Sequence, residues 1–199
     1  DVEAVKPVIE DPEFGGASVT IPHKLSIMSY IDELSEHAKT IGAVNTIIAK
    51  DRDGSKRLFG DNTDWLGIFH SVKPLIEIDS NTSALIIGAG GTSRAALYAV
   101  NKLGVNHIYL YNRTPEKVDA LIENFPSYGI HPVKSLSQQL PMTPQIIIST
   151  IPATANLEIS DELLKSDKGV CVEMPYRPRE TKLTKKCKER GWYVVEGIQ

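Results

Sequence analysis

The segment Gly88-Ala89-Gly90-Gly91-Thr92-Ser93-Arg94-Ala95 lies between a short apolar run and a helical pattern. A glycine cluster alone is weak evidence, but its position between strand and helix supplies specificity. Gly88 allows the tight turn, Gly90 lets backbone approach a pyrophosphate, and Ala95 permits close helix–strand packing. Free N–H groups and the positive dipole end of the helix would then meet the phosphates. After the next strand, an NAD site usually carries Asp or Glu about 20 residues on. This chain has Asn112-Arg113-Thr114-Pro115-Glu116-Lys117 there. A guanidinium, an ammonium and a hydroxyl would neutralise a 2′-phosphate. The residues therefore read as an NADP site.

Polar clusters crowd the first part of the chain: Ser18-Val19-Thr20-Ile21-Pro22-His23-Lys24, Gly42-Ala43-Val44-Asn45-Thr46 and Gly60-Asp61-Asn62-Thr63-Asp64. Each falls at an expected strand end or helix start, where side chains from separate segments can converge on one ligand. Oxidising an alcohol with NADP requires a group that takes the hydroxyl proton as hydride leaves carbon. A lysine in a partly desolvated cleft can take it, and a carboxylate beside it would orient both amine and hydroxyl. Taken singly, Lys24 reads as a surface helix residue and Asp64 as a helix N-cap.

The elements that must position these groups fall into two patterns. Residues 1–10 read as helix with a kink at Pro7, and residues 17–23 as a short strand entering a helix over 24–31 at Pro22. A helix over 33–41 and a strand over 44–48 follow. Asp51-Arg52-Asp53-Gly54 reads as a hairpin turn returning through 57–60. Apolar spacing predicts a helix from Asp64 to Val72 or beyond. From residue 84 on, short apolar strands alternate with helices: strands over 84–87, 107–111, 145–150, 169–174 and 192–195, helices over 92–103, 115–124, 160–164 and 180–190. That alternation means βαβ units and a parallel sheet covered on both faces. The fold class expected is α/β: a Rossmann-like NADP-binding domain over 77–199 and a smaller, incomplete α/β substrate domain over 1–76.

Composition agrees with a folded chain, since 41% of the 199 residues are hydrophobic and the formal net charge is only −3. No basic stripe suggests nucleic acid; the run from Lys182 to Arg190 has the alternation of a solvated helix face. No apolar stretch reaches the roughly 18 residues a membrane span needs. Cys171 and Cys187 match no metal-ligand spacing and make a poor disulfide framework, so no metal is expected and a reducing compartment is the default. Both ends look cut, which points to part of a larger multidomain chain.

Val19-Thr20-Ile21-Pro22-His23-Lys24, Gly42-Ala43-Val44-Asn45-Thr46, Gly60-Asp61-Asn62-Thr63-Asp64, Gly88-Ala89-Gly90-Gly91 and Asn112-Arg113-Thr114 occur in the order and spacing of the shikimate dehydrogenases. The chain resembles that family along essentially its whole length. Phe14 to Thr20 and Gly60 to Gly67 look most like the fungal versions, found in the pentafunctional arom protein and in related quinate-pathway proteins. The resemblance implies reversible reduction of 3-dehydroshikimate to shikimate by NADPH in the cytoplasm. It implies Lys24 and Asp64 as the catalytic pair, Thr20, Asn45 and Tyr176 as substrate ligands, and Thr150, Ile151 and Gly197 near the nicotinamide. Gly88, Ala89, Gly90, Gly91, Thr92, Ser93, Asn112, Arg113, Thr114 and Lys117 complete the expected cofactor site.

Departures bear on the reading. The family has an N-terminal strand, a Ser-x-Ser carboxylate clamp and a C-terminal Gln-bearing helix that this sequence lacks. Thr150-Ile151-Pro152-Ala153 stands where Thr-Pro-x-Gly is usual. A second reading is a catalytically inactive sensor domain of a nuclear quinate-pathway repressor, binding quinate or a pathway metabolite. His23 speaks for it; Lys24, Asp64 and Asn112-Arg113-Thr114 speak for the enzyme. One scaffold can host either.

Overall fold

The computed structural model describes residues 2–52, 54–155, 157–175, 177–178 and 180–197. It divides into two compact units, Asp1–Trp65 and Leu66–Gln199. The division falls earlier than the break expected after residue 76, inside a single helix, α3, whose bounds are Asp64–Val72.

The first unit is built on a four-stranded sheet. In chain order its strands are β1 (Gly16–Ser18), β2 (Glu33–Leu34), β3 (Thr46–Arg52) and β4 (Ser55–Asp61), laid out β1-β3-β4-β2. β3 and β4 form the expected hairpin, with Arg52 opposite Ser55. Gly54 turns at φ 76° and donates its N–H to Asp51 Oδ1 at 3.0 Å. Positive φ in a two-residue loop is what a right-twisted hairpin needs, and glycine supplies it without strain; Asp53 lies outside the described residues. Ile9, Ile27, Ala38, Val44, Ile47 and Leu58 form the core of this unit. A 3₁₀ turn (Val2–Val5) leads into helix α1 (Lys6–Glu10) over the stretch expected to be helical.

Two helix expectations are corrected here. Residues 24–31 form only a 3₁₀ segment, Ser26–Tyr30. Ser26 Oγ donates to the carbonyl of His23 and Ser29 Oγ to that of Ser26, and such local bonds compete with regular helix. Residues 33–34 pair with Phe59 and Gly60 as a parallel strand, and helix α2 begins only at Glu36 and runs to Ile41. Ser35 sits extended and its hydroxyl accepts Ala38 N–H at 2.9 Å, an N-cap that fixes the helix start. Gly42, in the left-handed region at φ 68°, ends it.

The second unit holds a six-stranded, all-parallel sheet. Its strands in chain order are β5 (Ser83–Ile87), β6 (His107–Tyr111), β7 (Ile130–Val133), β8 (Ile146–Ser149), β9 (Val170–Glu173) and β10 (Tyr193–Glu196). The spatial order β7-β6-β5-β8-β9-β10 is that of a doubly wound dinucleotide-binding fold. Its switch point lies between β5 and β8, and ligands bind such sheets beyond the strand C-termini there. Helices α4 (Gly91–Leu103), α5 (Pro115–Asn124) and α6 (Lys182–Glu189) connect the strands, with 3₁₀ turns at Ala153–Ala155 and Asp161–Leu164. Every residue of β5, β8 and β9 is buried, as expected of strands covered on both faces.

β7 was not expected. It contains Pro132, which cannot donate to a ladder and is tolerated because β7 is the edge strand. On α6, Leu183, Thr184 and Cys187 face inward while Lys182, Lys185 and Lys188 are exposed. Cys171 and Cys187 are free and buried; contact with Cys187 and then burial hold the Cys171 thiol well above its usual range. Gly169 packs so closely on Trp192 that an added Cβ would lie 2.4 Å from the indole. Gly169→Ala is therefore expected to cost about 1–3 kcal/mol in equilibrium urea unfolding; an unchanged midpoint would show that Trp192 shifts freely.

Candidate active site

In the first unit the polar clusters converge. The turn after β1 is closed by His23 N–H to the Thr20 carbonyl, and the segment is pinned to its neighbour by Val19 N–H to Asn45 O (2.7 Å) and Val44 N–H to Lys24 O (2.8 Å). Lys24 is thereby held over the start of α3, where its Nζ meets Asp64 Oδ2 at 2.6 Å. The two side chains are only 11% and 16% exposed, so solvent screens this pair less than an open surface ion pair. Asp64 is the first helical residue of α3 rather than its cap, and a carboxylate there also faces the positive dipole end.

Asn45 completes the arrangement. Its Nδ2 donates to Asp64 Oδ1 at 2.8 Å and to Thr63 Oγ1 at 3.1 Å, and its Oδ1 accepts Thr63 N–H at 2.9 Å and the Thr46 hydroxyl at 2.8 Å. One carboxylate thus receives an ammonium on one oxygen and an amide on the other. Such a group can orient a lysine toward a substrate hydroxyl without itself taking the proton. Thr20 is exposed on the same segment as Lys24. Tyr176 lies outside the described residues.

In the second unit the glycine loop leaves β5 at the switch point. Gly88 has φ 119°, and its N–H donates to the Tyr111 carbonyl at 2.8 Å. A linear series of hydrogen bonds holds the loop. Gly90 N–H donates to Ser93 Oγ (3.0 Å), Ser93 and Thr150 hydroxyls meet at 2.7 Å, and Thr150 Oγ1 donates to the Ile87 carbonyl (2.9 Å). Since the single Thr150 proton goes to Ile87, Ser93 is the donor in the hydroxyl pair. Ser93 and Thr150 are buried, so their hydroxyls shape the loop on which a cofactor would rest. Both residues are expected among the cofactor contacts, and the structure adds this bond between them.

The remaining residues fit a dinucleotide. A Cβ on Gly90 would meet nothing within 4 Å, which leaves the face of the loop open for close approach. Gly91, Thr92 and Ser93 form the first turn of α4, preceded by the half-buried Ala89. Beyond β6, Asn112 Nδ2 closes a turn onto the Thr114 carbonyl at 3.0 Å, and Arg113, Thr114 and Lys117 are exposed. Neither Arg113 nor Lys117 makes an ion pair with a described residue. Ile151 is partly buried against the core of this unit. Gly197 N–H donates to the Glu173 carbonyl at 2.8 Å, and a Cβ there would lie 2.3 Å from Met174 O. Glu173, the last residue of β9, which the sequence did not single out, is buried. Burial raises its carboxyl, against hydroxyl hydrogen bonds from Ser149 and from Thr181, the latter at 2.9 Å. No cluster of three or more metal-ligating side chains forms among the described residues, and no described helix is long and apolar enough to cross a membrane.

A family model for the shikimate dehydrogenase substrate binding domain matches residues 1–47, and one for shikimate / quinate 5-dehydrogenase matches residues 73–168. The crystal structure of shikimate dehydrogenase from Aquifex aeolicus superimposes with a TM-score of 0.81 at 35% identity, covering 98% of this chain and 71% of that one. This chain belongs to the shikimate dehydrogenase family. The Thermus thermophilus family member solved in complex with NADP(H) and shikimate matches with a TM-score of 0.77 at 29% identity, over 99% of this chain and 71% of that one. Among curated relatives, the pentafunctional AROM polypeptide of Malassezia globosa is 43% identical over 98% of this chain. The chain spans only 13% of that polypeptide, and 14% of the corresponding polypeptides of two Schizosaccharomyces species. The α/β fold expected from the strand–helix alternation is that of these shikimate dehydrogenases.

Proposed function

We propose that this chain is the shikimate dehydrogenase unit of a larger multidomain cytoplasmic protein, interconverting 3-dehydroshikimate and shikimate with NADP. Residues 1–76 would carry the substrate and acid–base groups and residues 77–199 the cofactor. The observation that carries the reading is the Lys24–Asp64 pair at 2.6 Å, with Asn45 on the second carboxylate oxygen.

In the oxidative direction the neutral Lys24 amine takes the hydroxyl proton of shikimate as the C–H bond breaks and the carbonyl forms. In the reductive direction the ammonium returns that proton to the carbonyl oxygen. NADP, when bound, supplies or accepts the hydride. Asp64 keeps Lys24 aimed, and Thr20, Asn45 and Tyr176 are proposed to hold the substrate's hydroxyl and carboxylate groups. The open face of Gly90, with Ala89, Gly91, Thr92 and Ser93 at the N-terminus of α4, fits the pyrophosphate. Asn112, Arg113, Thr114 and Lys117 fit the 2′-phosphate, and Thr150, Ile151 and Gly197 fit the nicotinamide side.

The test is NADP⁺ reduction by the full-length protein with shikimate and with quinate. Turnover with shikimate is the expected result. Tight binding of quinate or shikimate without turnover would sink the enzyme reading and leave a sensor. For the cofactor, Arg113→Ala removes one charge-assisted contact, commonly about 1.5–3 kcal/mol. It is expected to lower kcat/KM for NADP⁺ by roughly 10-fold or more and to leave that for NAD⁺ within a factor of two or so. A preference for NAD⁺ in the unaltered protein would contradict the assignment.

A further inference from the structure

Asn62 carries no role in the proton transfer, yet the residue is 1% exposed and both ends of its amide are used. Oδ1 accepts the N–H of Asp64 at 3.1 Å, and Nδ2 donates to the carbonyl of Ala43 at 3.0 Å. The orientation is fixed, because a flipped amide would set N–H against N–H and carbonyl against carbonyl. Its own N–H donates to Asp61 Oδ1 at 2.8 Å, and that oxygen also accepts the Ser35 hydroxyl at 2.5 Å.

From Ala43 the chain runs directly into the groups that matter. Val44 donates its N–H to the carbonyl of Lys24, and Asn45 donates its N–H to the carbonyl of Asp61 and its amide to the Asp64 carboxylate. The buried Asn62 amide thus adds a tie between the loop that carries Asn45 and bonds the Lys24 carbonyl, and the helix start that carries Asp64. Asp64 is held by an Asx-type turn at the start of α3, and the Lys24 carbonyl is bonded by Val44, in the loop before β3 that Asn62 anchors at Ala43. A shorter or apolar side chain would leave the Asp64 N–H and the Ala43 carbonyl unpaired in a buried place.

We infer that Asn62 is the positioning residue of the acid–base pair, setting the separation of Lys24 and Asp64 without touching substrate. The inference rests on the reading of Lys24 and Asp64 as that pair. Asn62→Ala removes both bonds. Asn62→Asp keeps the acceptor for Asp64 N–H and loses the donor to Ala43, so it separates the two halves of the tie and serves where the alanine variant does not fold.

In the full-length protein, Asn62→Ala is expected to lower kcat by about 10²-fold, the scale of an ångström-sized misplacement, with the Kd for NADP⁺ unchanged. Asn62→Asp should show a smaller loss. In both, the pH profile of kcat should move, which a merely structural loss of folded protein would not produce. A second readout needs no turnover: the rate of Lys24 acylation by an amine-specific reagent, followed by peptide mass spectrometry across pH. Release of Lys24 from Asp64 should raise that rate several-fold per folded molecule in the variants. An unmoved pH profile and unchanged Lys24 reactivity in folded Asn62→Asp would overturn the inference. If the unaltered protein shows no turnover, the enzyme reading fails, while the acylation rates still decide what Asn62 holds.

Discussion

Lys24→Ala in the full-length protein is expected to lower kcat for shikimate oxidation by about 10²–10⁴, the usual contribution of a positioned acid–base group. The effect should fall on kcat and kcat/KM together, because the interaction lost is made as the proton moves. The Kd for NADP⁺, read by fluorescence titration, should stay within about two-fold, since none of the residues proposed to hold NADP is changed. Lys24→Arg separates two explanations. Arginine keeps a positive charge for Asp64 but stays protonated at working pH and cannot accept a hydroxyl proton. It should therefore be nearly as inactive as alanine. Near-normal turnover in Lys24→Arg would mean that charge rather than proton transfer is what position 24 supplies.

How much of this site the sequence discloses depends on the kind of feature. Runs such as Ser83–Ile87 and His107–Tyr111, each followed by a helix with clear ends, carry their own signal, because strands buried on both faces are apolar throughout. Glu33–Leu34 carries almost none: two residues beside a helix start read as helix, and only pairing with Phe59 and Gly60 makes them a strand. β7 is hidden by Pro132, which demotes a strand unless the edge position is already known.

The site follows the same division. Lys24 and Asp64 are separated by 40 residues, so no local pattern pairs them; the family resemblance does, and the fold then brings them within hydrogen-bond distance. Asn62 and Glu173 carry no such signal, because in sequence a buried amide before a helix looks like any turn residue and a carboxylate ending a strand looks solvated. What distinguishes them is burial with partners distant in sequence, such as the Ala43 carbonyl and Thr181. The tie between Ser93 and Thr150, 57 residues apart, is of the same kind.

That tie also fixes what Gly88 can be. At φ 119° a side chain is strained whatever the space, and a Cβ would lie 2.3 Å from Thr150 Oγ1 and 3.1 Å from Ser93 Oγ. Gly88→Ala must therefore either distort the loop or displace Thr150, and displacing Thr150 breaks the hydroxyl series that runs from Gly90 to Ile87. Backbone strain and overpacking together are expected to cost about 3 kcal/mol in urea unfolding. NADP⁺ affinity should fall by roughly 10-fold or more, since the loop that would carry the pyrophosphate loses its shape. Thr150→Ala alone removes two hydrogen bonds and should be milder, about 1–3 kcal/mol. If the collision is the cause, the double variant Gly88→Ala/Thr150→Ala should be less destabilised than the sum of the singles, because the second change removes the atom the first one strikes. Strict additivity would place the whole cost in the backbone at residue 88 and leave the fit against Thr150 without energetic weight.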